Sequence, residues 1–137
     1  MITEEELNEL TGKIIGVAID VHRELGPGLL EKVYLRCLLI ALKDAGFHVE
    51  WEVPLPVLFR GRLVVEDGYR MDIIVEDTVI LELKSVAMVA SVHEKQLLTY
   101  LRLSEKPCGL LMNFNSTRLT DGIKRIRNGF LPPESTL

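Results

Sequence analysis

The chain has 137 residues, the size of one domain, and its hydrophobic content of 47% is enough to build a packed core. It contains no apolar run near the roughly 20 residues that span a bilayer. The acidic N-terminus lacks the basic-then-apolar order of a signal peptide. From these two absences we expect a soluble cytoplasmic protein without membrane association. A net charge of -4 argues against a protein that coats nucleic acid by bulk electrostatics.

The N-terminal part of the chain predicts two helices. Apolar residues recur at steps of three and four from Thr3 to Leu25, and Thr3 with Glu6 forms a capping-box pattern. The sequence Gly26-Pro27-Gly28 ends this helix. A second helix is predicted from about Leu29 to Ala45, where Gly46 is its natural stop.

The hydrophobic period then changes to that of strands. The segment Phe47 to Phe59 predicts a strand in which Pro54 and Pro56 indicate a sheet edge or a bulge. Arg60-Gly61 suits a tight turn. Two more strands are predicted, at Tyr69 to Val75 and at Val79 to Val86.

A third helix is predicted over about Ser91 to Leu103, followed by a short apolar strand at Cys108 to Phe114, as in a strand–helix–strand crossover. The order α, α, β, β, β, α, β predicts a single α/β domain over residues 1–137. Residues 102–127 carry six Lys or Arg side chains and two acidic ones. This segment suits either a phosphate-binding region or an ordinary solvated surface, and its pattern favours neither.

Three charged side chains interrupt the apolar segment DIIVEDTVILELK: Asp72, Glu82 and Lys84. Glu82 and Lys84 are two residues apart on one strand and therefore share a face. If Val75 pairs with Val79 around the three-residue loop 76–78, Asp72 lies directly opposite Glu82 on that face. A two-residue loop would turn Asp72 to the other face of the sheet. The sequence therefore predicts an odd loop length in this hairpin.

The three charges suit metal-dependent chemistry. Two opposed carboxylates repel each other, and a divalent cation such as Mg²⁺ would offset that repulsion more than Lys84 alone, because hard cations take carboxylate oxygens. A metal ion held by two acids, with a lysine beside the attacking water, is an arrangement that can catalyse phosphodiester hydrolysis. The alternative is a solvated acid–base group on an exposed strand face, since the spacing D-x₉-E-x-K alone is a weak signal.

Two helices add candidate site residues. Glu31 opens the second helix, where the helix dipole favours a carboxylate, although simple helix-start chemistry accounts for it equally. Gln96 and Tyr100 lie one turn apart on the third helix; the alternative is a core tyrosine with a polar neighbour. His93 is favoured as a surface or capping histidine.

The segment Gly28-Leu29-Leu30-Glu31-Lys32-Val33-Tyr34 resembles the signature of the GxxExxY proteins. Further segments resemble that family in the same order, over about residues 11–127: IIGVAIDVHRELGPGLLEKVY, YRMDIIVEDTVILELKSV, VHEKQLLTYLRLS, GLLMNFN and GIKRI. The family is grouped with the PD-(D/E)xK nuclease superfamily, in a RecB-like branch. The resemblance implies a restriction-endonuclease-like αβββαβ core, with a mixed central sheet flanked by helices.

The resemblance also implies a metal site and a catalytic lysine. Asp72, Glu82 and the backbone carbonyl of Leu83 would hold Mg²⁺ or Mn²⁺, and Lys84 would be the catalytic lysine. His22 is a minor candidate for the metal-binding histidine that RecB-type members place near the first helix. Met71 stands where the superfamily name has proline, which is a common variation.

The remaining roles concern the helices and the substrate. The resemblance implies that Glu31 is the helix-borne acid, and that Gln96 and Tyr100 form a QxxxY element that contacts substrate or braces the site. It implies a nucleic-acid substrate, with DNA favoured, and a homodimer would supply two such sites. The competing expectation is a catalytically silent binding or assembly module, because a fold does not fix a function.

Overall fold

The two amphipathic N-terminal segments fold into helices, as predicted, in a computed structural model that describes residues 2–129. Helix α1 spans Glu4–Leu25 and helix α2 spans Glu31–Asp44. The capping box is present: the Glu6 N–H donates to Thr3 Oγ1 and the Thr3 N–H donates to Glu6 Oε1, both over 3.0 Å. Among the described residues, no helix is both long enough and apolar enough to cross a bilayer.

A mixed sheet forms the centre of the described chain. Its strands and the third helix are β1 Val49–Phe59, β2 Arg62–Val75, β3 Val79–Lys84, α3 Ser91–Ser104, β4 Cys108–Asn113 and β5 Ile123–Arg127, with a short 3₁₀ helix at Leu119–Gly122. The strand order is β1-β2-β3-β4-β5, in which β3 and β4 are parallel and the other neighbours are antiparallel. The predicted α/β fold with a mixed sheet is confirmed; residue 1 and residues 130–137 of the predicted domain lie outside the described residues.

Strand alternation divides the core into two layers. Side chains at alternate positions of β2 and β3 pack against α1 and α2, among them Ile73, Val75 and Leu81. The intervening side chains Ile74 and Ile80 pack against α3 on the other face. The sheet is therefore covered by α1 and α2 on one side and by α3 on the other.

The two prolines of β1 are compatible with its position at the edge of the sheet. β1 is an edge strand, paired only with β2 among the described strands, so its proline nitrogens break no central ladder. The register of β1 against β2 shifts between Leu55 and Val57, on either side of Pro56, and the excess residues of this β-bulge, 66–68, lie on β2. A second shift, between Val57 and Leu58, leaves Val64 as a further excess residue on β2. The prediction made from Pro54 and Pro56, a sheet edge or a bulge, is confirmed, since β1 is an edge strand and a register shift lies at Pro56.

The largest differences from the sequence-based expectation concern β2, β3 and the residues after 115. Strand β2 begins at Arg62, earlier than predicted, because the hairpin turn pairs Arg62 with Phe59. Strand β3 ends at Lys84, since the backbone of Val86 is bonded to a side chain of β4 and leaves the ladder. Strand β5 lies among the residues after 115, for which the sequence analysis predicts no element, and it is antiparallel to β4.

Candidate active site

The predicted register of the β2–β3 hairpin is confirmed. Val75 pairs with Val79, and the ladder continues through Ile74–Ile80 to Ile73–Leu81. The loop has three residues, of which Glu76 and Asp77 both have φ of +51°, a left-handed conformation that closes the turn. One step beyond Ile73–Leu81, this register places Asp72 opposite Glu82.

Asp72 and Glu82 replace the next backbone hydrogen bonds of the ladder. The backbone N–H of Asp72 donates to Glu82 Oε1 over 3.1 Å, and the backbone N–H of Leu83 donates to Asp72 Oδ2 over 2.8 Å. Each carboxylate is therefore fixed by an N–H group of the strand opposite to its own. The two side chains are held by the sheet itself, without a loop.

Burial makes this carboxylate pair electrostatically costly. Glu82 is only 6% exposed and Asp72 is half-buried. Burial and then the Asp72 charge raise the pKa of Glu82 to about 9. Burial also raises the pKa of Asp72, although the Leu83 N–H and the Lys84 charge oppose that rise. The charge of Lys84 therefore does not fully compensate the two negative charges that Asp72 and Glu82 carry when both are ionised.

Lys84 closes strand β3 beside the two acids. It is half-buried, and its charge lowers the pKa of both Asp72 and Glu82. In the parallel ladder it lies opposite Asn113, the last residue of β4, and its carbonyl accepts a 2.8 Å hydrogen bond from the Phe114 N–H. The lysine thus lies at the carboxyl ends of two adjacent parallel strands, within electrostatic range of both carboxyls.

The loop before α2 positions Glu31, and Tyr34 positions that loop. The buried Tyr34 hydroxyl donates to the Gly26 carbonyl over 2.5 Å and accepts from the Leu29 N–H over 3.1 Å. Gly26 and Gly28 have φ of +71° and +95°, values that favour glycine. The side chain of Glu31 is exposed, and its charge raises the pKa of Asp72, so it lies within electrostatic range of the pair.

Helix α3 brings Tyr100 to the carboxylates. Tyr100 is 4% exposed, and burial, followed by the charges of Glu82 and Asp72, raises its pKa to about 12. Gln96 is half-buried one turn earlier on the same side of α3. The ring of Tyr69 meets that of Tyr100 edge-on, with centroids 5.6 Å apart, and ties β2 to α3 at the site.

The two histidine candidates make local contacts. His22 is buried, and its Nε2 lies 3.1 Å from the Phe114 carbonyl oxygen, so this nitrogen already has a hydrogen-bond partner. The His22 ring is tilted against the Phe114 ring at a centroid distance of 6.1 Å. His93 Nδ1 accepts a 3.1 Å hydrogen bond from the Ala90 N–H at the start of α3, which is a capping contact.

The structure adds two residues that sequence reasoning missed. The buried Asn113 accepts from the Val86 N–H over 3.2 Å and donates to the Val86 carbonyl over 2.9 Å, which fixes the chain just after Lys84. The Ser85 hydroxyl donates to the Leu29 carbonyl over 2.6 Å and joins this segment to the loop before Glu31. The signal for Asn113 is a polar residue at the end of an apolar parallel strand, where the neighbouring strand ends in Lys84.

The carboxylates of Asp72 and Glu82 are two of the ligands that a hard divalent cation needs. Among residues 2–129, no group of three or more His, Cys, Asp or Glu side chains is arranged to hold a metal ion. Asp72 and Glu82 nevertheless bring carboxylate oxygens together without an adequate counter-charge, and Mg²⁺ commonly binds through only one or two carboxylates plus water and substrate phosphate. The oxygen ligands and the negative charge of the two carboxylates therefore suit a divalent cation of this kind.

The basic segment 102–127 is largely paired within the chain. Its intramolecular contacts are Lys106–Asp77 at 2.7 Å, Arg118–Asp121 at 3.7 Å, Arg125–Asn8 at 2.6 Å, Lys124–Glu94 and Arg127–Glu4. Side chains that already pair with acids attract phosphate less, so these contacts favour a solvated surface over a phosphate-binding segment.

The sequence matches a family model but no individual curated protein or solved structure. A family model described as the PD-(D/E)XK nuclease superfamily matches residues 8–126, which is most of the chain and includes both helix-borne and strand-borne residues of the site. The chain therefore belongs to the PD-(D/E)XK nuclease superfamily.

Proposed function

We propose that this protein is a metal-dependent nuclease that hydrolyses phosphodiester bonds, of the GxxExxY type. The observation that carries the proposal is the carboxylate pair Asp72 and Glu82, which are fixed across the β2–β3 ladder by each other's strands. Membership of a nuclease superfamily supports a nucleic-acid substrate, for which we take DNA as the first candidate. A bound Mg²⁺ or Mn²⁺ ion would polarise the phosphoryl oxygen and lower the pKa of its water.

Asp72 and Glu82 hold the ion in this proposal, and the Leu83 carbonyl is the third protein ligand. Leu83 donates its N–H to Asp72, so its backbone lies directly against the pair. Lys84 orients the attacking water and stabilises negative charge that develops on the phosphoryl group. Its position beside both carboxyls suits that role, because the same charge already lowers the pKa of each.

The helix-borne residues complete the site. Glu31, the first residue of α2, would be a further candidate ligand for the ion, and Tyr34 and Ser85 hold the loop that precedes it in place. Gln96 and Tyr100 brace the carboxylates and contact substrate from α3. Burial, followed by the nearby carboxyls, raises the pKa of Tyr100 to about 12, so its hydroxyl is protonated and can donate a hydrogen bond at neutral pH.

The test compares cleavage of single- and double-stranded DNA and RNA by the purified protein with Mg²⁺, with Mn²⁺ and with EDTA. We expect metal-dependent cutting that falls by about 100-fold or more in Lys84→Ala and in Asp72→Asn. Lys13→Ala, which changes an exposed lysine of α1, is the control and should cut like the wild type. Cleavage by Lys84→Ala at the wild-type rate would overturn the proposal.

A catalytically silent nuclease-fold module is the second candidate. The observation in its favour is that the described residues contain no three-ligand acidic or histidine cluster. Calorimetric titration with Mn²⁺ separates the two functions: the nuclease binds an ion in the wild type and loses it in Asp72→Asn. A wild type that takes up no ion and cuts no substrate would favour the module.

A further inference from the structure

The β1–β2 hairpin reaches well past the rest of the sheet. Strand β2 has 14 residues, but only its last three, Ile73 to Val75, pair with β3. Residues 53–70, called the arm below, therefore form a two-stranded extension around the Arg60-Gly61 turn. Among the described strands, none pairs with the outer edge of β2 along the arm, so its backbone groups there are open to another chain.

The tip of the arm exposes large apolar side chains. Leu58 and Leu63 are direct cross-strand partners and are 59% and 56% exposed; Val64 is 60% exposed, and Phe59 is 61% exposed. A two-stranded hairpin without a covered face is marginally stable in water. An apolar, unpaired edge of this kind is a template for pairing with another strand.

The outer strand of the arm is self-complementary. Its sequence Arg62-Leu63-Val64-Val65-Glu66 has a base at one end, an acid at the other and three apolar residues between them. When this segment lies antiparallel to a copy of itself centred on Val64, each Arg62 falls opposite the Glu66 of the other copy. Opposite charges that face each other across strands are favourable, and other registers leave them unmatched.

We propose that the arm is a homodimerisation element, in which residues 62–66 of β2 pair antiparallel with the same residues of a second copy of this chain. Val64 then lies on the two-fold axis and meets its own copy, and the two Arg62–Glu66 pairs flank it. Such an interface is isologous and closes on itself, so it gives a dimer and not a filament. The proposal does not depend on the nuclease activity.

Charge favours a second copy over nucleic acid as the occupant. The segment 62–66 is neutral overall, with one base and one acid, whereas a phosphate-binding strand needs an excess of bases.

A glycine fixes the backbone shape of the arm. A Cβ on Gly68 would lie 2.4 Å from Val65 Cγ1, so the bulge at residues 65–68 closes tightly only because residue 68 is glycine.

Sedimentation and native mass spectrometry of the full chain test the proposal through charge reversal. The wild type should form dimers, and R62E and E66R should each raise the dimer dissociation constant at least about tenfold, because each places like charges opposite one another. An equimolar mixture of the two variants should form a heterodimer, since one copy then presents two acids to the two bases of the other.

Val64→Lys supplies a second test with a matched control. It places two lysines against each other at the two-fold axis and should abolish the dimer. Val92→Lys changes a valine of α3 that is equally exposed, 61% against 60%, and should leave the dimer intact. Circular dichroism must show the same fold for both variants, and a change confined to V64K supports the proposal.

Three results would overturn the inference: a wild type that stays monomeric up to about 1 mM, a dimer that survives V64K as well as V92K, or R62E and E66R that do not restore association when mixed. A shift in nucleic-acid affinity in opposite directions for R62E and E66R, without any change in association, would instead assign the arm to the substrate and would also overturn it.

Discussion

The backbone N–H of Asp72 donates to Glu82 Oε1, while Asp72 Oδ2 accepts from the Leu83 N–H on the strand that carries Glu82. The two acids therefore take over the hydrogen bonds that the β2–β3 ladder gives up after Ile73–Leu81. The arrangement holds both carboxylates by backbone groups of two paired strands, without any flexible segment. It also buries them, and the pKa of Glu82 rises to about 9 as a result.

The raised pKa of Glu82 predicts that the metal-free protein loses stability as pH rises. The folded protein holds a proton on Glu82 that the unfolded chain releases above its ordinary pKa of 4.5. Between about pH 5 and pH 9 the free energy of unfolding should therefore fall, by at most about 1.4 kcal/mol per pH unit from this group. Urea denaturation in EDTA over that range measures the slope, and Glu82→Gln should flatten it.

Asp77→Asn is the matched control for that slope. The Lys106 side chain holds the pKa of Asp77 below its usual range, so the stabilisation from Asp77 is present above its unfolded pKa and is lost only as pH falls into the acid range. Its removal should leave the slope between about pH 5 and pH 9 unchanged. Parallel curves for wild type and Glu82→Gln would contradict the assignment of a protonated Glu82.

Metal binding should release a proton at neutral pH. A cation that uses Glu82 as a ligand requires the ionised carboxylate, whereas the metal-free form is protonated at pH 7 because its pKa is about 9. Calorimetry in buffers of different ionisation enthalpy should show about one proton released per Mn²⁺ ion, and an apparent affinity that rises with pH. If binding proceeds with no proton release, Glu82 is not a ligand.

Tyr34→Phe should destabilise the protein and loosen the loop before Glu31. The change removes two hydrogen bonds, to the Gly26 carbonyl and from the Leu29 N–H, but keeps the ring that stacks on Phe114 at 4.7 Å. Leaving those half-buried groups without their partner should cost about 1 kcal/mol in the free energy of unfolding, or somewhat more. Thermal and urea denaturation measure the loss.

Tyr69→Phe is the control for the lost hydroxyl, because the Tyr69 ring is 39% exposed and a hydroxyl there can exchange its partners for water. We expect a change of less than about 0.5 kcal/mol in the free energy of unfolding. If Tyr34→Phe also loses less than about 0.5 kcal/mol, Tyr34 acts only through its ring, and the proposed link from Tyr34 to Glu31 is wrong.

The sequence predicts the hairpin well because strand alternation is strict there. A loop with an odd number of residues places Ile73, Val75 and Leu81 on one face, and the pairing of Val75 with Val79 is the one that brings Asp72 opposite Glu82. The structure confirms that register. Helix limits were also predictable, since Thr3 caps α1 and the glycines after Leu25 end it.

Contacts between distant segments were not predictable from the sequence. The local signals at residues 66–68 disfavour a strand, yet β2 runs through them because its partner β1 continues to Phe59 and the excess residues are absorbed as bulges. Three of the five side chains of β5 are basic, and the strand forms through its pairing with β4. Asn113 acts on Val86 across 27 residues of chain, a contact that no local pattern encodes.

Asn113→Ala should free the segment that follows Lys84. The change removes hydrogen bonds to both backbone groups of Val86 and from the Asn115 N–H, at a side chain that is only 6% exposed. We expect a loss of about 1–3 kcal/mol in the free energy of unfolding and faster hydrogen exchange at the Val86 amide. Nuclease activity should fall as well, because Lys84 would lose its fixed position.

Asn115→Ala separates this positioning role from a general loss of stability. Asn115 contacts Val86 through a single 3.3 Å hydrogen bond to its carbonyl, so its removal leaves the Val86 N–H held by Asn113. Exchange at the Val86 amide should then stay slow, and activity should stay near that of the wild type. Similar exchange rates in Asn113→Ala and the wild type would show that Asn113 does not hold this segment, and that Lys84 depends on the β3–β4 ladder alone.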